Sequence, residues 1–193
     1  MADKLIPARP RSNADIEAEA MRIIRRYQPE VLGGKKPFDI ELFFDCDLED
    51  LTDIGTGYRD LEAGIYGYTD TERMECVIST DLMDNKCQER FRRSTMAHEV
   101  GHVVLHVDDY RVQRATLRSV HGNDHLRAYR AEQIVLYKNP EWQAWRFASA
   151  ILMPEMPFRE VVSEGCDEWE LANLFNINPA FVRTRAKFLK INL

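Results

Sequence analysis

The chain has 193 residues, 45% of them hydrophobic and 30% charged, with a formal net charge of −6. That is the make-up of a soluble protein with one sizeable core, and no apolar run approaches the roughly 18 residues that a membrane span requires. The opening Met1-Ala-Asp-Lys-Leu-Ile-Pro-Ala-Arg-Pro lacks the apolar centre of a signal peptide, and Cys46, Cys76, Cys87 and Cys166 form no Cys-x-x-Cys pair; neither a secreted disulfide scaffold nor a cysteine zinc knuckle is indicated, and a cytoplasmic setting is expected.

Residues 1–12 read as a flexible tail. Asn13 can cap a helix to about Tyr27, with Ile16, Ala20, Ile23, Ile24 and Tyr27 along one side and Pro29 and Gly33-Gly34 ending it. Phe38 to Phe44 reads as a strand. The next stretch is acidic: Asp39, Glu41, Asp45, Asp47, Glu49, Asp50, Asp53, Asp60 and Glu62 are opposed only by Arg59, whereas residues 171–193 hold Arg183, Arg185, Lys187 and Lys190 without an acid. Such asymmetry can steer a partner, and solvated faces at opposite ends explain it equally well. Gly55 to Gly67 suggests turns and a strand near Ala63–Tyr68, with glycines at the wrong spacing for a phosphate loop. Glu72 to Thr80 alternates as a strand does. Such a strand could be an edge that holds extended peptide, or could simply close the sheet.

Next comes Arg93-Ser-Thr-Met-Ala-His98-Glu99-Val100-Gly101-His102-Val-Val-Leu-His106, which contains His-Glu-x-x-His. In a helix, His98 and His102 lie one turn apart on the same face, about 6 Å along the axis. Two neutral imidazoles at that spacing can share one Zn²⁺ ion, with Glu99 beside the open position to take a proton from water there. Ser94 or Thr95 can cap this helix, and Met96, Val100, Val103, Val104 and Val107 form its apolar face. Gly101 costs roughly 1 kcal/mol against Ala in a helix, which suggests close packing there. The plainer reading, a core helix with ordinary histidines, yields only if a third ligand exists.

Val107 to Arg130 is polar and irregular, a loop or short helix carrying His121 and His125, and Ala131 to Tyr137 reads as a brief strand. Asn139-Pro140 then opens a helix to Met153, a further helix covers Pro157 to Ser163, Asp167-x-x-Glu170 has the form of a capping box for a helix to Phe175, and Asn178-Pro179 opens the last helix.

Glu141 is the candidate third ligand, in the first turn of a helix able to pack across the His-bearing one. The helix dipole keeps such a carboxylate ionised, though a first-turn Glu is usually only a dipole partner. Cys166 is the second choice. The pair Arg93-x-x-x-Ala97-His98-Glu99-x-Gly101-His102-x-x-Leu105-His106 and Glu141-x-x-Ala144-x-x-Phe147-Ala148-x-x-Ile151-Leu152-Met153-Pro154 resembles the two motifs of the ImmA/IrrE metallopeptidases. The resemblance runs over about residues 37–155 and departs at Trp145, where the family usually has Asn. It implies an α+β, zincin-like fold: a small twisted sheet packed on the His-Glu-x-x-His helix and on a second, ligand-bearing helix. It further implies one zinc ion held by His98, His102 and Glu141, with Glu99 as catalytic base. The activity implied is that of a bacterial or mobile-element endopeptidase whose partner is a protein substrate, often a helix-turn-helix transcriptional repressor.

On this reading the chain divides into a tail (1–12), a metallopeptidase domain (13–165) and a C-terminal helical extension (166–193). His106 lies too far from His98 along the axis to share its ion and is read as support or packing. His121, His125, Tyr129 and Tyr137 are the candidates for helping stabilise an oxyanion. Leu171-Ala172-x-x-Phe175-x-Ile177-Asn178-x-x-x-Val182 resembles half of a helix-turn-helix, with Asn176 where a turn glycine is usual; a helical hairpin capping the core is the simpler reading, and direct nucleic-acid binding the bolder one. The competing function is therefore a zinc-stabilised regulatory or DNA-binding protein with no, or latent, proteolytic activity.

Overall fold

A computed structural model describes residues 4–34 and 36–193. Its elements in order are β1 (Lys4–Leu5), α1 (Asn13–Tyr27), α2 (Ile40–Cys46), α3 (Leu48–Thr52), β2 (Gly55–Arg59), β3 (Gly67–Asp70), β4 (Glu75–Ser79), α4 (Thr80–Asp84), α5 (Glu89–His102), α6 (Asp108–His121), β5 (Tyr129–Arg130), α7 (Pro140–Leu152), α8 (Glu155–Ser163), α9 (Glu168–Leu174) and α10 (Pro179–Leu189). The class is α+β, with a zincin-like arrangement of one small sheet and two crossing helices around His98, His102 and Glu141. No helix among the described residues is long and apolar enough to cross a membrane.

Helix α5 is the axle. Residues Arg93 to Gly101 are all buried, because α7 and α2 cover it on the helical side and β3 and β4 on the sheet side. Its start is at Glu89, so Ser94 and Thr95, expected as caps, lie inside it. Gly101 meets α7: a Cβ built there would stand 3.0 Å from the Cα and the carbonyl oxygen of Ala144 and 3.3 Å from Phe147. Arg93 fastens the axle to both flanks, donating to the carbonyls of Phe38 (2.7 Å) and Asn176 (3.1 Å). Asn176 holds the positive φ of 51° that the α9–α10 turn requires.

The sheet order is β2-β4-β3, with β2 parallel and β3 antiparallel to β4. The strand expected over Glu72–Thr80 is thus the middle one, and the edge lying across α5 is β3. Gly67 lets it pass there, since a Cβ would come within 3.0 Å of Glu99 Cγ and Ile78 Cδ1.

Several expected elements differ. Phe38–Phe44 is the start of a helix rather than a strand. Asp39 caps it by accepting from the Leu42 amide, and Ile40, Phe43 and Phe44 fall at i, i+3 and i+4 on its buried side. Helix α1 is capped by Ser12, in a reciprocal box with Asp15, rather than by Asn13. Ala131–Tyr137 forms two short 3₁₀ turns instead of a strand. The segment after His106 is a full helix, α6, joined to α5 through one π-helical turn (Val103–Val107).

Of the expected tail, residues 1–3 lie outside the described residues. Residues 4–12 are tied down: β1 pairs with β5, the Ala8 amide donates to Lys138, the Arg11 amide to Tyr137, and the Arg11 guanidinium to Leu105 O and Asp109. Helices α9 and α10 place Leu171, Ala172, Phe175, Ile177, Val182, Ala186 and Leu189 in the same buried cluster as α1, α5 and α7. Arg185 is fully buried there, paired with Glu17 and donating to the Met153 carbonyl at 2.9 Å.

Candidate metal centre

Two helix positions and one helix start make this site. His98 and His102 sit four residues apart on α5, so their rings project from one face. Glu141 is brought opposite them because Asn139 caps α7, accepting from the Trp142 amide, and Pro140 occupies its first turn. The close approach at Gly101 and Ala144 then sets the distance between the helices.

His98 Nε2 and His102 Nε2 are 3.1 Å apart; Glu141 Oε2 is 3.2 Å from the former and Oε1 3.3 Å from the latter. Neighbouring donors on a tetrahedron with zinc bonds of 2.0–2.1 Å are separated by about 3.3 Å. With Glu141 ionised, protons cannot satisfy this triangle. If each imidazole donates to the carboxylate, two N–H groups face each other; if one donates to the other, the acceptor has no proton left for Glu141. A cation enclosed by the three groups removes the conflict, so the donor set fits a metal.

The charge pattern agrees. The polar contacts with His102 and then His98 hold the Glu141 carboxyl far below the usual carboxylate range. For His102, burial pulls the pKa down, but the Glu141 hydrogen bond and the charge of Glu99 outweigh it and the net shift is upward. His106 is held neutral, well below its ordinary value, by burial and then by the charge of His102.

These three residues and Glu99, Gly67, Tyr68 and Thr69 line one cavity of about 340 Å³. Glu99 is buried, and the Thr69 hydroxyl donates to its Oε2 at 2.9 Å. The side chain of Glu141 is 45% exposed, so the cavity opens to solvent on that side. Trp145, standing where the family motif has Asn, lies over the His98 ring with centroids 4.3 Å apart and touches Phe181 of α10 edge-on.

His106 does not face the cavity. Its Nδ1 is 3.1 Å from His102 Nδ1 and its Nε2 is 3.0 Å from Gln143 Oε1. The four proposed oxyanion helpers are elsewhere. His121 is exposed at the end of α6, His125 borders a separate groove with Arg114 and Thr71, Tyr129 pairs with Leu5, and Tyr137 contributes only its carbonyl. Cys166 is not among the clustered donors. Sequence reasoning missed Thr69 and Gln143. Nothing in a lone Thr or Gln marks it, although Gln143 lies two positions beyond Glu141 in the second motif.

A family model described as the IrrE N-terminal-like domain, Peptidase_M78, matches residues 82–187. No curated protein matches the chain. Among solved structures, a Mycobacterium tuberculosis transcriptional regulator is similar with a TM-score of 0.56 at 14% identity, over 87% of this chain and 45% of that one. The chain thus spans less than half of that protein's length, and the likeness is one of fold.

Proposed function

This chain belongs to the Peptidase_M78 family, the IrrE N-terminal-like domains, and on that premise we propose that it is a zinc-dependent endopeptidase acting in the cytoplasm on a specific regulatory protein, such as a helix-turn-helix repressor. The observation that carries the reading is the convergence of the His98 and His102 Nε2 atoms and the Glu141 carboxylate beside the buried Glu99. One zinc ion held by those three residues would supply Lewis acidity, acidifying water and polarising a peptide carbonyl. Glu99 would take the proton from the attacking water and pass it to the leaving amine. Thr69 occupies one carboxylate oxygen of Glu99 and leaves the other to do this. The free edge of β3 runs alongside the cavity and can pair with extended peptide.

The test is Glu99→Gln. The variant should bind zinc as the parent does and lose cleavage by roughly 10²- to 10⁴-fold, the usual worth of a general base. Co-expression with the product of the adjacent gene is the assay to begin with. Cleavage persisting in the variant would remove Glu99 from its role.

The second reading, a zinc-stabilised regulator, is favoured by the description of the similar structure as a transcriptional regulator. A DNA-reading role for α10 is weakened by its arginines: Arg185 is buried against Glu17, and Arg183 pairs with Glu168. Lys187→Glu with Lys190→Glu tests it. If the hairpin reads DNA, affinity and the salt slope both fall; if it does not, neither changes.

A further inference from the structure

Behind His102 runs a chain of buried polar groups whose proton positions can be worked out one after another. Gln143 is fully buried. Its Nε2 lies 2.9 Å from the carbonyl oxygen of Arg9 and 2.8 Å from that of Tyr137. Carbonyl oxygens only accept, so the amide must present its NH₂ to them; turned over, it would set oxygen against two oxygens. Gln143 Oε1 therefore faces His106 Nε2, and that nitrogen must carry a proton. A neutral imidazole has one N–H, so His106 Nδ1 is an acceptor. The atom 3.1 Å from it, His102 Nδ1, must then be the donor. In the neutral form of His102 the remaining nitrogen, Nε2, is then left with its lone pair, directed at His98 and Glu141.

We infer that Gln143 and His106 are positioning residues that fix His102 as the Nδ1–H tautomer, so that its Nε2 lone pair faces the metal position before any ion arrives. This rests on reading His98, His102 and Glu141 as the ligands. The two histidines differ in this respect, since His98 Nδ1 is buried without a partner among the described residues. The orientation of the whole relay depends on one carbonyl from the N-terminal segment (Arg9) and one from the turn before α7 (Tyr137), so it joins parts of the chain far apart in sequence.

The experiment is long-range ¹H–¹⁵N correlation of the metal-free, full-length protein labelled at histidine, paired with zinc affinity from competition with a chromophoric chelator. At a pH where His102 is neutral, the parent protein should show it protonated at Nδ1 and lone-paired at Nε2. Gln143→Leu and His106→Phe should each release that preference and weaken zinc roughly 10- to 100-fold, the usual effect of removing a ligand's hydrogen-bond partner. A purely structural role would lower stability and leave the tautomer unchanged. Neutral His102 found with its single proton on Nε2 in the parent protein overturns the inference, and this needs no variant to fold. An unchanged tautomer in a folded variant overturns it too. The outcome is separable from the proposed function: the tautomer is read without metal or peptide, whereas an absence of zinc binding at His98, His102 and Glu141 would refute the peptidase reading instead.

Discussion

Gly101→Ala tests how the site is spaced. A methyl at that position would stand 3.0 Å from the backbone of Ala144 and 3.3 Å from Phe147, against an ordinary carbon contact of about 3.5–4.0 Å. Backbone cannot rotate away as a side chain can, so α5 and α7 must part by about 0.5–1 Å. Overpacking of this kind costs about 1–3 kcal/mol, and replacing a helical Gly by Ala returns about 1 kcal/mol. The net expectation is a loss of about 0–2 kcal/mol, seen as a lower urea midpoint at constant slope. The larger effect falls on the metal. Glu141 rides in the first turn of α7, with its oxygens 3.2 and 3.3 Å from the two imidazoles, and metal–ligand bonds tolerate about 0.2 Å. Zinc affinity should drop roughly 10- to 100-fold. Gly57→Ala, where an added Cβ meets nothing within 4 Å, is the control. If Gly101→Ala is about 1 kcal/mol more stable than the parent and binds zinc equally, the close helix contact does not set the ligand geometry.

The other predictions concern separate parts of the molecule. Gly67→Ala places a carbon 3.0 Å from Glu99 Cγ; peptide turnover should fall more than zinc affinity, as comparison of kcat with metal competition would show. Glu17→Ala strands the buried Arg185 guanidinium without its carboxylate and should cost about 3–5 kcal/mol in denaturant unfolding. Zinc at about 1,000 times its Kd should stabilise the protein by about 4 kcal/mol, and a chelator should abolish the gain in a thermal scan. Because the upward shift at His102 makes a proton compete for Nε2, zinc affinity should rise with pH through the neutral range and fall on acidification; a flat profile in the chelator assay would contradict that ligand assignment.

The parts of this architecture that could be read from sequence are those with a local cause. Asn139-Pro140 and Asp167-x-x-Glu170 start helices through side chains that accept from nearby backbone amides, and both helices begin there. His98 and His102 share a face by helical geometry alone. Gly101 signalled a close contact, and Ala144 provides it. The segment of α6 reads from sequence only as a loop or short helix, because its one buried residue, Tyr110, leaves little core-facing pattern among polar neighbours. The 38–44 segment misled because Phe and Ile suit a strand, while the Asp39 cap and the i, i+3, i+4 spacing decided for a helix. Thr69 on Glu99 and the Arg9 carbonyl on Gln143 are pairings across 30 and 134 positions, which no local pattern encodes.

The bonded path of residues 4–11 has a practical side. Replacing residues 4–11 by a flexible linker would take away the Arg9 carbonyl to which Gln143 donates, and zinc binding should weaken although no ligand has been touched.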